Sequence, residues 1–378
     1  MLSTRRIFLI IICVALFFLV HVARSWSSPS YEELSGRAII SLASSHHRLD
    51  NELPVAIRSL TRQAASPREI RVYFPESDKA AVQARLSSTP GSEPLSAWLL
   101  HHLVKMHFVQ DVGPATKFVP VLTDMMDKHD AGDRDALDQP LIIVDDDHSY
   151  SPNLVATLLS IHDQQPFVAV GLRGWRIRSD LEWGVSWDEM DRHVQYGYRL
   201  AEPYRVGVLT ANEGYLVTPR MFLPPKTSTS YSPISKLAPI LDIQKLMSSS
   251  AHLVDDIWMA GSLATQGVMR YIVPLPGSPS LDVTTTHTLE KHMESEGKSR
   301  GGANTETLHM FSEAFSKEKL WYRFEKDVKG AKGVVSPATT EAEQEPVWIS
   351  TAARLRKEVA KNIEKAKLMM AFRGIHVD

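Results

Sequence analysis

The chain has 378 residues, a formal net charge of −2 and 43% apolar residues, the balance of a folded globular protein rather than a disordered one. Its basic residues are scattered and form no aromatic-basic stripe, so no nucleic-acid partner is expected. The single cysteine, Cys13, excludes an intrachain disulfide, so the fold rests on an apolar core, which one large domain or two modest ones of this length can build.

Arg5 and Arg6 precede an apolar run over residues 7–23, broken only by His21. The run suits a thin bilayer. Its exit, Val22-Ala23-Arg24, makes a poor small-x-small cleavage site, so it reads as an uncleaved anchor rather than a removed signal peptide. The arginines before it place residues 1–6 in the cytoplasm and the rest across the membrane. Residues 24–36 read as a polar stem.

Residues 38–43 form a buried strand. Residues 53–63 are helical, with Leu53, Ile57 and Leu60 on one face. Residues 70–74 form a second strand, closed by Pro75. That succession is a βαβ unit of a parallel sheet. Residues 114–126 read as a helix with proline in its first turn. The continuous apolar run 141–144 is that of a central parallel strand covered on both faces. Ser151 and Pro152 suit the N-cap and first turn of a helix to about residue 161, and 167–170 is another strand. Residues 171–203, rich in Trp, Arg and Tyr, read as long loops or short strands bearing binding residues. Residues 206–217 read as two short strands around Asn212-Glu213-Gly214. A short helix falls near 240–247. A helix over 255–265 stops at Gly267, and a strand follows over 269–273. Residues 326–346 form a polar linker and 347–373 a charged amphipathic helix. The fold class is α/β with a mostly parallel central sheet.

The chemistry concentrates where Asp145, Asp146 and Asp147 directly follow the strand 141–144. In open α/β sheets, ligands bind beyond the carboxyl ends of the strands. Three adjacent carboxylates repel one another, and a divalent cation offsets that cost, since hard cations take oxygen ligands. Such a cation can also grip a diphosphate and neutralise its charge as it leaves. Alternation along an extended chain puts Asp145 and Asp147 on one face, with Asp146 buried or paired. A solvated acidic turn is the competing reading. The second acidic pair, Asp255-Asp256, opens a helix, where capping alone would favour it. A carboxylate there can also orient an acceptor hydroxyl or take its proton.

Together these pieces resemble metal-dependent glycosyltransferases of the Asp-x-Asp kind. The resemblance runs from about Arg37 to Pro276. It includes His47-Arg48 after the first strand, "SLTRQ…PREIRVYFP", Gly113-Pro114-Ala115-Thr116-Lys117, Asp145–Asp147 and the Asp255-Asp256 helix. The opening is similar to family-2-type transferases, and the motif order to exostosin-like transferases. The resemblance implies a single GT-A, Rossmann-like domain over residues 37–325 that uses Mn2+ or Mg2+ and a nucleotide-sugar donor. The acceptor would be a glycan, protein or lipid.

The resemblance also implies roles for single residues. Asp147 and Asp145 would hold the metal, with His287 as a further candidate ligand beside His292 and His309. Arg48, Lys117, Asp145 and Asp146 would face the donor, with Lys117 toward its diphosphate. Asp256 or Asp255 would act on the acceptor, and Asn212, Glu213 and Gly214 would line the sugar or acceptor pocket. Trp175, Trp183 and Trp187 offer a sugar-stacking platform, though such residues more often pack in a core. With the anchor, the expected setting is a secretory-pathway membrane, the Golgi, as a single-pass type II protein with a lumenal catalytic domain. The competing classes are a metal-dependent nucleotidyl or phosphoryl transferase and an inactive carbohydrate-binding relative.

Overall fold

The structure, a computed structural model, describes residues 29–87, 101–183, 193–224, 238–284 and 299–318. The anchor 7–23, Trp187, His287, His292, the linker 326–346 and the helix 347–373 lie outside the described residues. No helix among the described residues is long and apolar enough to cross a membrane.

The central sheet has the order β3-β2-β1-β4-β11-β6-β12-β9. Its strands are β1 (Ile39–Ala43), β2 (Glu69–Pro75), β3 (Val104–Val109), β4 (Leu141–Ile143), β6 (Ala169–Gly171), β9 (Tyr204–Arg205), β11 (Tyr215–Val217) and β12 (Arg270–Ile272). Strands β3, β2, β1 and β4 are parallel neighbours, and β11 runs antiparallel between β4 and β6. The carboxyl ends of β1, β4 and β6 therefore share one edge. Side-chain alternation feeds two cores. Ile40, Leu42, Ile142 and Leu216 point to one face, where α2 (Glu52–Leu60) and α5 (Leu154–Gln164) pack. Ile39, Leu141, Ile143 and Val217 point to the other, under α4 (Val119–Asp130) and α7 (Asp255–Thr265). The spacing of Leu53, Ile57 and Leu60 makes α2 a helix with one apolar face, and all three are fully buried.

Several boundaries differ from the sequence reading for identifiable reasons. Residues 30–34, within the stretch read as a stem, are folded. Ser30 and Glu33 form a capping box on α1 (Tyr31–Leu34), and Leu34 is buried in the core, so the folded domain starts before residue 37. The helix expected over 114–126 is split into a 3-10 turn, Ala115–Lys117, and α4. Pro120 has no N–H to offer Thr116, and the Lys117 carbonyl accepts instead from Ser41 Oγ at 2.5 Å. Ser151 is not an N-cap: its carbonyl accepts from Leu154 N at 3.1 Å in a turn, and α5 begins only there. The strand expected over 167–170 moves to β6, because Phe167 is 69% exposed. The two strands around 212–214 do not pair with each other. β10 (Val208–Leu209) joins β7 (Arg173–Trp175), which pairs with β8 (Val194–Tyr196) in a small antiparallel sheet.

Candidate active site

A cavity of about 1140 Å³ opens at the shared carboxyl edge of β1, β4 and β6. That is ample for a nucleotide-sized ligand, since small-molecule pockets run to roughly 1,000 Å³. Asp145, Asp146 and Asp147 line it from the end of β4, and Asp255 and Asp256 line it from the first turn of α7. The two acidic groups that are far apart in sequence thus face one space.

Each acid of the first group has its own partner. Asp146 is buried; it accepts from Ser44 Oγ at 2.6 Å and from Arg48. Burial, together with the neighbouring Asp147 charge, pushes its carboxyl up to about 6, against the pull of Arg48 and Ser44. Asp147 receives Arg48 Nη1 at 2.9 Å on Oδ2, and His148 Nδ1 lies 2.7 Å from its Oδ1. Burial would raise Asp147, but the His148 and Arg48 contacts outweigh it and hold it well below the usual carboxylate range. Asp145 Oδ1 accepts from Lys117 Nζ at 2.6 Å. The Tyr150 hydroxyl pins the Asp145 backbone, accepting from its N–H at 2.8 Å and donating to its carbonyl at 2.9 Å. The far side of the group is tied down by β13 (Leu281–Asp282), which pairs with β5 (His148–Ser149), and by Val283 N donating to Asp147 O at 2.8 Å.

Lys117, expected to face the diphosphate, lines the cavity. Only 5% exposed, its ammonium sits between Asp145 and Asp255, 2.9 Å from Asp255 Oδ2. The break before α4 frees it from a helix surface and turns it inward. Burial opposes its charge, but Asp145, Asp255 and Asp256 raise its proton affinity far above the ordinary value. Beside it, Asp256 Oδ1 and the Tyr215 hydroxyl are buried atoms with no hydrogen-bond partner among the described residues. Burial and the Asp255 charge push the Asp256 carboxyl well above the ordinary carboxylate range.

The mutual repulsion of the triad is thus balanced by Arg48, Lys117 and His148, and not by a cation alone as the sequence suggested. Among the described residues, no three His, Cys, Asp or Glu side chains form a closed metal cage. The site still suits a hard cation. Magnesium is commonly held by one or two carboxylates, with substrate phosphates completing the shell. Asp145 and Asp147 both line the cavity, and an ionised carboxylate has lone pairs beyond the ones already engaged. The acids on the cavity wall, which also include Asp111 and Asp282, outnumber Arg48, Lys117, Arg173 and Arg300. Such a surface attracts cations and repels an unaccompanied diphosphate.

The remaining expectations divide. Arg48 and Asn212 line the cavity. Glu213 does not: it is buried and accepts from Ser280 N at 3.1 Å, holding a loop. Gly214 makes the turn into β11 at φ +84, where a Cβ would come within 2.8 Å of Leu154 Cδ1. His309 is half exposed, 3.6 Å from Glu182, and does not line the cavity. Trp175 and Trp183 do line it, with ring centroids 4.8 Å apart. The sequence reading missed Ser44, His148, Tyr150 and Arg173. Only His148, next to the triad, carried a signal in the chain itself.

No family model matches the chain, and no curated protein matches it. Among solved structures it is similar to 4-diphosphocytidyl-2C-methyl-D-erythritol synthase, at 12% identity over 66% of this chain and 94% of that one, with a TM-score of 0.37. It is also similar to the mannosyltransferase PcManGT from Pyrobaculum calidifontis in complex with GDP-Man and Mn2+, at 12% identity over 94% of this chain and 91% of that one, with a TM-score of 0.35.

Proposed function

We propose that this chain is a glycosyltransferase that moves a sugar from a nucleotide-diphosphate donor to a hydroxyl acceptor, assisted by manganese or magnesium. One observation carries the reading. Asp145–Asp147 and Asp255–Asp256 meet in one cavity, at the ligand-binding edge of the sheet, across the shared ammonium of Lys117.

Asp145 and Asp147 are the residues that would hold the cation, which when bound neutralises charge on the departing diphosphate. His148 and Arg48 keep Asp147 ionised and correctly aimed. Lys117 fixes the distance between the donor acids and the acceptor acids. Asp256 is the acceptor's base. Its carboxyl lines the cavity and its proton affinity is raised, and a base whose proton affinity lies near the working pH is effective. Asp255, held by Lys117, orients the same hydroxyl. The apolar segment 7–23 extends the proposal to a type II protein of a secretory-pathway membrane, the Golgi, with this cavity in the lumen.

The test is Asp147→Ala. By calorimetry the variant is expected to lose manganese-dependent binding of the nucleotide-sugar donor by about tenfold or more, roughly 1.4 kcal/mol, with an unchanged circular dichroism spectrum. Unchanged donor affinity in a folded variant would sink the assignment.

A further inference from the structure

One wall of the cavity belongs to the small sheet. In β7, Gly174 points into the core, where a Cβ would come within 2.4 Å of Val208 O and 3.0 Å of Ile272 Cδ1. Strand side chains alternate. Arg173 and Trp175 therefore project from the other face, and both line the cavity. Arg173 follows the end of β6 by two residues, and β6 runs in the same direction as β4, so Arg173 and the acid triad share the carboxyl edge of the sheet.

The guanidinium is held in place by neutral groups. Nη1 donates to Thr210 Oγ1 at 3.1 Å and to Asn212 Oδ1 at 3.3 Å. Its carbon lies 5.4 Å from the Trp175 ring centroid and 5.3 Å from that of Tyr196. The contrast with its neighbours is one of charge. Arg48 is engaged by Asp146 and Asp147, and Lys117 by Asp145 and Asp255. Among the described residues, no carboxylate forms an ion pair with Arg173. Glu213, whose carboxylate feels both Arg173 and His148, accepts its hydrogen bond from Ser280 N. Arg300 is the other cavity cation without an ion pair among the described residues, but it is exposed at the start of α8 (Arg300–Met310).

We propose that Arg173 is an anion-recognition residue that grips the diphosphate of the donor from the β7 wall. This rests on the glycosyltransferase reading and adds a residue to its donor site. A planar guanidinium can engage two phosphate oxygens at once. Because the group is already fixed by Thr210, Asn212 and two rings, little ordering cost remains when the ligand arrives. A carboxylate or sulfate on the acceptor would satisfy the same guanidinium, so the test must separate the two sources.

The experiment is calorimetry on the full chain with manganese. Wild type, Arg173→Gln and Arg173→Lys are titrated with inorganic pyrophosphate, uridine and guanosine diphosphates, and the two nucleosides. Arg173→Gln is expected to bind the diphosphates about tenfold more weakly or worse, with nucleoside binding as in wild type and partial recovery in Arg173→Lys. Full diphosphate affinity in a folded Arg173→Gln overturns the proposal, leaves the glycosyltransferase reading standing, and directs Arg173 to the acceptor. Wild type that binds no diphosphate overturns both. If Arg173→Gln does not fold, Arg173→Lys decides. It has the charge without the fork, so weakened diphosphate binding supports the proposal and unchanged binding overturns it.

Discussion

Half-buried Asp256 and buried Asp146 both have raised proton affinity, and their surroundings assign them opposite duties. Asp256 lines the cavity, and its buried Oδ1 has no hydrogen-bond partner among the described residues, so its proton affinity serves chemistry. Asp256→Asn is expected to lower kcat by about 10²–10⁴ and to leave donor affinity within about twofold; equal losses in both would reveal a structural cap. The base works only when unprotonated, and its pKa is raised. Wild-type kcat should therefore fall as pH drops through a value well above the ordinary carboxylate range, and a flat profile down to about pH 5 would contradict the role.

Asp146 also lines the cavity, but both its oxygens are engaged, by Arg48 and Ser44, and its raised pKa bears on stability instead. Its folded state holds a proton between the ordinary value and about 6, so wild type loses stability as pH rises through that window. Asp146→Asn escapes the loss. The stability difference, variant minus wild type, is expected to grow from pH 4.5 to pH 7.5 by up to about 2 kcal/mol, read from denaturant unfolding. A difference that shrinks over that range would show that Arg48 gains more from the charge than burial takes away.

At the scale of elements, short segments place the site. The break between Ala115–Lys117 and α4 turns Lys117 inward, and β7 sets Arg173 and Trp175 on the cavity wall through a glycine with no room for a Cβ. Gly174→Ala should push β10 away from β7 and cost about 1–3 kcal/mol. Donor binding should weaken as Arg173 loses Thr210, which follows β10 directly. A Gly174→Ala protein as stable as wild type would mean that the strand pair relaxes freely. These features were illegible in the chain for a physical reason. Strands of two or three residues carry no periodicity, and their partners lie far away in sequence. The helix 255–265, by contrast, was read with its observed bounds, because acids at its start and Gly267 at φ +71 after its end mark it locally.

Across the whole molecule, three of the four neighbouring parallel strands were legible, because β1, β2 and β4 are mostly apolar and buried, while β3, with Lys105 and His107 in it, was not. The antiparallel insertion of β11 between β4 and β6 was not, since three residues, Tyr215–Val217, cannot announce a direction. The acid triad was legible as an anomaly after an apolar strand. Its internal neutralisation by Arg48 and Lys117 was hidden, because ion pairs across 98 or 28 positions leave no local trace. What the assembled molecule offers is a large acidic cavity with fixed cations. The most direct test is to titrate the full chain with a panel of nucleotide sugars, with manganese and with a chelator, and to follow binding and release of the nucleoside diphosphate. Binding and slow hydrolysis of one donor, lost with the chelator, is the predicted result. A folded protein that binds none of them, or binds one equally well without metal, would contradict the account.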